Sequence, residues 1–428
     1  MYDWASAYNY VKCPTCKETI EIEEIYKKNK TQITYGIVSC KCNKHPVIEG
    51  IICLKNSPNK TRAIKYLKKE EYHKSVLIML QENKPKKIHR KALRYLTNII
   101  QAPYHKIMEN MKFNDLILPG IRGEYFKARF STESFWTIYP TMYLISRKKK
   151  IENIVDLACG AGHSSFLFSY YLQPKNLFSQ DYSFWHLYLL RKYFTDDSYC
   201  ICSDLNEGLP FHNDIIDAVH LLDSFMYIKE KKVLAVNIEE SIREEGIVFS
   251  SHLHNSLQHN EGQGHALTPR EWGKLFTKIH TNVVPEKNYL EDFLYKNKID
   301  LKRSYEYSEL NKFNVIDIIG NVDSSEYADI WNFMLKNKTK LIVNPLYVMN
   351  KSKNKIILNR KLPNEFIRDR YDISMNYLPV EKIIDNDNII NNINGRKLNI
   401  DKIKEENIET IEELMKKFIL INAPSKYA

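Results

Sequence analysis

The chain has 428 residues, 43% of them hydrophobic and 12% aromatic, which excludes wholesale disorder and exceeds what one ordinary core accommodates. Two or three folding units are expected. Lys and Arg number 63 against 52 Asp and Glu, a net charge of +11, and residues 55–150 alone hold 22 basic and 7 acidic residues.

That basic segment has the charge to attract RNA or another anionic partner, the plainer alternative being a set of solvated helices. No apolar run reaches the roughly 20 residues of a bilayer-spanning helix. The first residues, MYDWASAYNYVK, show no basic start followed by an apolar stretch. A soluble cytoplasmic protein without a membrane partner is expected.

The first element is a cysteine knot. Of eight cysteines, Cys13 and Cys16 form one close pair and Cys40 and Cys42 a second, with 23 residues between the pairs. In a reducing compartment such paired pairs read as a zinc site, each knuckle offering two thiolates to a tetrahedral ion. The second pair is C-x-C, which leaves either Cys42 or His45 as the fourth ligand. Cys53, inside the apolar run 47–54, reads as core. The stretch CKCNKHPVIEGIICL at 40–54 resembles the end of the zinc-ribbon domain shared by the small activator subunit of tRNA and protein methyltransferases and by bacterial methyltransferase fusions. That resemblance covers residues 11–55 and implies a structural Zn2+ or a docking surface.

Residues 58–118 read as helices broken at Pro85 and Pro103, with KPKKIHRKALR at 84–94 the most basic stretch. A lid-like segment at 124–131 places Tyr125 and Arg129 where they would close over a ligand; equally, Phe126 and Phe130 have core spacing and Arg129 suits a surface salt bridge. From 151 to 252 apolar strands alternate with helical segments, which predicts right-handed βαβ units and a mostly parallel sheet. Residues 340–358 suggest a hairpin, and the tail is expected to be helical at 401–419. The expected division is a ribbon (1–57), a helical basic lid or linker (58–145), an α/β domain (146–360) with an insertion (253–338), and a C-terminal helical tail (361–428).

The central signal is VDLACGAGHSS at 155–165, a strand running into a glycine loop and then a helix. Glycines permit a tight turn and close backbone approach to a ligand, and a helix N-terminus offers free N–H groups. A second strand ends in Asp181, 19 residues after Gly162, where a carboxylate can accept from ribose hydroxyls. A third ends near Asp204 and Leu205, followed by LPF at 209–211; a fourth runs from Asp217-Ala218-Val219 to Asp223. A dinucleotide-binding G-x-G-x-x-G would need a third glycine where Ser165 stands. In combination these motifs resemble class I S-adenosylmethionine-dependent methyltransferases over residues 150–252. The resemblance implies a Rossmann-like fold and S-adenosylmethionine as cofactor. It further implies that Asp156, Ala158 and the Gly160–Gly162 backbone hold the methionine part, Asp181 the ribose, Tyr182 the adenine flank, Asp204 the adenine amine and Leu205 a nearby stacking position.

Acceptor-side candidates follow the fourth and fifth strands. Four histidines, at 252, 254, 259 and 265, fall within fourteen residues. A histidine can take a hydroxyl proton near neutral pH. Strand alternation puts His252 and His254 on one side. His254 is the first candidate base and Asp223 the second. A metal site with two histidines lacks a carboxylate at suitable spacing. The long segment after residue 252 suits walls around a small-molecule, sugar or peptide acceptor. The segment 124–131 with the later LHN…G…LTP…W stretch resembles bacterial methyltransferases that carry an amino-terminal zinc ribbon, and that resemblance implies specialised-metabolite or glycan assembly, with O-methylation as the leading expectation. An RNA methyltransferase is the alternative. Against it, LDSFMY at 222–227 replaces the Asn/Asp-Pro-Pro-aromatic motif of amino-methylating enzymes. A docking or activator protein is the third reading, opposed by the intact glycine loop.

Overall fold

The computed structural model describes residues 7–30, 32–81, 112–113, 123–148, 150–260, 262–323, 325–337, 340–362 and 372–427. Most of the basic stretch, including 84–94 and both prolines expected to break helices there, lies outside the described residues. The chain divides into two compact units. One comprises Met1–Asn110, Leu144–Glu286 and Leu301–Ser324; the other comprises Met111–Tyr143, Lys287–Asp300 and Ser325–Ala428.

The first unit opens with an antiparallel meander: β1 (Glu21–Lys28), β2 (Ile33–Cys40), β3 (Asn43–Ile48) and β4 (Ile51–Cys53). Two helices follow, α1 (Pro58–Leu67) and α2 (Tyr72–Leu80). Ser57 caps α1 by accepting from the Asn59 amide, and Pro58 occupies the first turn, where its missing N–H is harmless. The expected alternation then appears as β5 (Asn153–Leu157), α3 (His163–Leu167), β6 (Asn176–Asp181), α4 (Phe184–Leu189), β7 (Ser198–Cys202), β8 (Ile216–Leu222), α5 (Lys231–Ser241) and β9 (Ile242–His254). β5 to β8 are buried along their whole length, as strands covered on both faces must be. Later come β10 (Thr281–Pro285), α6 (Glu286–Lys296, in the second unit from Lys287 on), β11 (Lys298–Asp300, also in the second unit) and β12 (Val315–Gly320).

All the first unit's strands join one sheet in the order β1-β2-β3-β4-β7-β6-β5-β8-β9-β12-β10. β7, β6, β5, β8 and β9 are parallel, while β12 runs antiparallel to β9 and to β10. Counted from β5 within the α/β part, the order is 3-2-1-4-5-7-6 with the seventh strand reversed. A dinucleotide-binding sheet would run 3-2-1-4-5-6 without that reversed insertion. Connections leave β5 toward opposite sides of the sheet, so the C-terminal ends of β5, β6 and β8 frame the crevice where ligands bind in such folds.

Three expectations change. Residues 253–338 are not a separate insertion: β10 and β12 complete the sheet, because the apolar runs TNVVP and VIDIIG have nowhere else to bury their faces. The hairpin at 340–358 is formed by Tyr347–Lys351 and Ile356–Arg360, whereas Leu341–Val343 pairs instead with Leu420–Asn422. The tail is mixed rather than helical, carrying strand Glu381–Ile384 as well as helix Ile408–Lys416.

The second unit packs small sheets and helices on an aromatic core in which Trp136 stacks on Phe418 at 3.8 Å. The lid candidates Tyr125 and Arg129 belong to it. Arg129 is buried rather than at the surface, lies over the Tyr125 ring at 4.8 Å and donates to Ser134 Oγ at 3.1 Å. Phe130 is fully buried, as its spacing implied.

Candidate active site and cysteine cluster

The glycine loop is a strained turn braced from beneath. Ala158, Gly160 and Gly162 all have positive φ, at 48°, 56° and 92°. A Cβ on Gly162 would stand 2.3 Å from Leu190 Cγ, so the loop can lie this close to its neighbouring helix only without a side chain there. Gln180, the residue before Asp181, ties the crevice together. Its Oε1 accepts from the Ala158 amide at 3.1 Å, its backbone oxygen from the Cys159 amide at 2.9 Å, and its Nε2 donates to Ser203 O at 2.7 Å. Sequence reading missed Gln180; its only signal was its place at the end of a strand.

Asp156 was expected to touch the cofactor. It is instead buried under the loop, with Oδ2 accepting from Ser165 Oγ at 2.6 Å and Oδ1 paired with His220 Nδ1 at 3.0 Å. Its work is to anchor the loop and the first turn of α3. Asp181 sits where expected, at the end of β6, and is almost completely buried. Its Oδ2 accepts from the Gly160 amide at 2.9 Å; Oδ1 accepts from the Ser183 amide at 2.8 Å and pairs with His186 Nδ1 at 3.1 Å. Burial alone would raise its pKa, but His186 and the two backbone amides outweigh burial and hold it below the usual carboxylate range. A carboxylate has about four acceptor positions. One, on Oδ2, is therefore left for a hydroxyl.

Tyr182 is about half exposed, and Lys55, from the loop after β4, places Nζ 3.4 Å from the centre of its ring. Asp204 is half-buried, and its Oδ1 accepts from both the backbone and side-chain nitrogens of Asn206 at 2.9 Å. Leu205 is buried within the main apolar core and does not present a stacking face. Burial, followed by the charges of Asp156 and Asp181, pushes the Cys159 thiol well up, away from the thiolate form.

Across the crevice, the ends of β8 and β9 bring Asp223, His252 and His254 together, with one ligand atom of each within 4.8 Å of the others. The carboxylate that sequence spacing did not reveal thus arrives from the neighbouring strand. β9 carries an irregularity here. Ser250 pairs with Ile318 and Leu253 with Ile316, leaving two residues opposite Asp317, and His252 has φ 59°. The bulge amide of His252 donates to Asp317 Oδ1 at 2.8 Å. His252 Nδ1 lies 2.8 and 2.9 Å from the two oxygens of Glu286, a residue not singled out from sequence because it lies more than thirty positions downstream. The two imidazole rings are 5.5 Å apart. Burial, then the neighbouring Glu286, pushes Asp317 well above the usual carboxylate range.

The other cluster is Cys13, Cys16, Cys40 and Cys42, whose sulfurs all lie within 4.8 Å. Cys13 and Cys42 Sγ are 3.7 Å apart and Cys40 and Cys42 Sγ 3.5 Å, and none of the cysteines is in a disulfide. A tetrahedral ion with 2.3 Å bonds to sulfur sets an edge of about 3.8 Å, so the four thiols fit Zn2+. Cys42, not His45, belongs to the quartet. His45 is buried just behind it, its Nε2 3.4 Å from Cys40 Sγ and its Nδ1 2.9 Å from Lys60 Nζ. Since an ammonium only donates, His45 accepts at Nδ1 and turns Nε2–H toward the Cys40 sulfur.

The strand order and the glycine crevice define a Rossmann-like α/β fold of the class I methyltransferase type, preceded by a four-cysteine ribbon. No protein-family model matches the sequence, and comparison with curated proteins gives no match. Solved structures that it resembles include a chain of the complex between the Haloferax volcanii Trm112 methyltransferase activator and a protein described as a methyltransferase (16% identity, 44% of this chain, 90% of that chain, TM-score 0.33). Others are the plantazolicin methyltransferase BpumL with SAH (15%, 60% and 98%, TM-score 0.33) and an S-adenosylmethionine-dependent methyltransferase from Aquifex aeolicus (11%, 45% and 92%, TM-score 0.33). At these scores the weight rests on the strand order and the residues themselves. Among the described residues no helix is long and apolar enough to cross a membrane.

Proposed function

We propose that the protein is an S-adenosylmethionine-dependent methyltransferase that methylates a hydroxyl of a small molecule, sugar or peptide, and that its ribbon holds a structural Zn2+. The observation that carries this reading is the convergence, at the C-terminal ends of the parallel strands of a 3-2-1-4-5-7-6 sheet, of the glycine loop and Asp181 on one side and Asp223, His252 and His254 on the other. Bound there, S-adenosylmethionine supplies an electrophilic methyl group. The chain's own part is alignment and proton management. The Gly160–Gly162 backbone and the one open acceptor position of Asp181 suit the amino-acid and ribose parts. The exposed Tyr182 ring, stiffened by Lys55, suits the adenine flank. The polar cluster after β8 and β9 faces the acceptor and receives its proton, with His254 and Asp223 as the groups first considered and His252, backed by Glu286, as the one with a fixed ring.

The test is calorimetric binding of S-adenosylmethionine to the full chain, followed by transfer of labelled methyl groups to a cell extract resolved by mass spectrometry. Asp181→Ala should weaken cofactor binding at least tenfold without unfolding the chain. A chain that binds no S-adenosylmethionine would overturn the proposal. Labelled product that appears only in RNA, with binding falling steeply as salt rises, would move the acceptor to nucleic acid.

A further inference from the structure

We infer that Asp223, His252 and His254 form a second metal site, which takes one late first-row divalent ion such as Zn2+ or Fe2+ and is separate from the four-cysteine cluster. The inference rests on the cluster's geometry and not on methyl transfer.

Two imidazoles and one carboxylate are a ligand set that suits Zn2+, Fe2+ or Co2+ better than Mg2+ or Ca2+, which favour oxygen alone. The three ligand atoms already lie within 4.8 Å of one another, while ligands about 2.1 Å from an ion are at most about 4.2 Å apart. In a tetrahedral site such ligands stand about 3.4 Å apart, so side-chain rotation has up to about 1.4 Å to close. Both histidines are buried, so the fold holds them at the site rather than leaving them to solvent.

The surroundings match what a metal-bound histidine needs. A ligating imidazole nearly always gives its other ring N–H to a carboxylate, which fixes the tautomer and raises its basicity. His252 Nδ1 faces both oxygens of Glu286 at 2.8 and 2.9 Å, which leaves Nε2 as the ligating atom. The backbone is bent to bring this about. His252 and Asp223 both have positive φ, at 59° and 54°, and the Asp223 amide donates to Ser251 O at 3.0 Å, holding the carboxylate beside the bulge. His254 is fixed from behind, its carbonyl accepting from Trp272 Nε1 at 2.9 Å. Strain at such positions persists only where the surroundings impose it, and it collects at functional sites.

Three protein ligands leave open positions, to be filled by water or by an oxygen of the acceptor. With an ion bound, His252, His254 and Asp223 would hold it and would not themselves take the acceptor's proton, and the ion would supply Lewis-acid polarisation of that oxygen; without one, the same side chains remain the proton acceptors.

The experiment counts metal in the full chain. Protein equilibrated with Zn2+ and gel-filtered should carry two equivalents by mass spectrometry. His254→Gln and Asp223→Asn should carry one. Co2+ added to chain already holding one zinc should give d–d absorption without the thiolate charge-transfer band of a cysteine site. Glu286→Gln, which keeps the ligands but loses the outer carboxylate, should weaken the second ion by 10–100-fold. One equivalent in the wild-type chain overturns the inference even if a variant fails to fold, and so does a second equivalent indifferent to all three substitutions. S-adenosylmethionine binding measured in parallel separates the two readings: a chain that binds the cofactor but only one zinc loses the metal site alone.

Discussion

Gly162→Ala probes the loop most directly, because two separate effects meet at one atom. Gly162 has φ 92°, and the added Cβ would stand 2.3 Å from Leu190 Cγ, 2.7 Å from Cδ1 and 2.9 Å from Cβ. The backbone effect is about 1–3 kcal/mol for a side chain held in a sparsely populated conformation. Overpacking against a fully buried leucine adds about 1–3 kcal/mol, since a close-packed interior yields only by shifting backbone or rotamers. The expected loss is then roughly 2–6 kcal/mol, a large share of a typical domain stability. Leu190→Ala alone should cost about 2–5 kcal/mol through its cavity. In the double variant the new methyl group enters the space that the leucine left, so the two losses should fail to add by at least about 1 kcal/mol. Urea unfolding of the four proteins measures that coupling. If the losses add to within about 0.5 kcal/mol, the overlap is not what makes glycine necessary, and the packing argument for the loop is wrong.

Further outcomes follow from the same geometry. Asp181 has a folded pKa below its unfolded value, so its contribution to stability is complete above the ordinary carboxylate range and is lost as pH falls through the lower folded value. Asp181→Asn should therefore flatten the acid side of the stability profile in that window, and parallel wild-type and variant curves there would contradict the assignment. In the ribbon, Cys42→Ser should abolish binding of the structural zinc while His45→Ala keeps it at lower affinity, as read by competition with a chromophoric chelator. Retention of zinc by Cys42→Ser together with its loss from His45→Ala would make histidine the fourth ligand.

What the sequence made legible was whatever local chemistry dictates. The glycine loop, Asp181 at a strand end and the paired cysteines are short-range patterns, and each stands where local reading put it. Asp156 shows the boundary of that method. A carboxylate two residues before a glycine loop has the right position to face a ligand, but only the structure shows it buried, with Ser165 on one oxygen and His220 on the other. Leu205 fails in a similar way, because its neighbour Asp204 stays half-buried at the crevice while its own side chain turns into the core. The acceptor-side cluster was half visible. The close spacing of His252 and His254 could be read, but Asp223 joins them across a parallel strand pair and Glu286 reaches them from the start of α6, separations that no local pattern encodes. The strands β10 and β12 were passed over because nothing between them announces a sheet partner. Pairing with β9 is a long-range choice, made because their apolar faces must be buried.

The ribbon is joined to the α/β sheet more closely than a linked module would be. β7 would otherwise be an exposed edge, and open edges invite pairing with other chains. β4 closes it with a parallel ladder, Ile51 to Cys53 against Cys200 to Cys202, and the Leu54 and Lys55 amides both donate to Cys202 O at 2.9 Å. The edge passes outward to β1, whose sequence EIEEIYKK and repeated register shifts are poor templates for a further strand. The same ladder that closes the edge brings Lys55 over Tyr182, the aromatic residue next to Asp181. A reading of the ribbon as structure alone therefore undercounts it. From the cysteine quartet, the chain needs only β3, the turn at 49–50, β4 and two further residues to reach Lys55, on the side of the crevice where a nucleoside would lie.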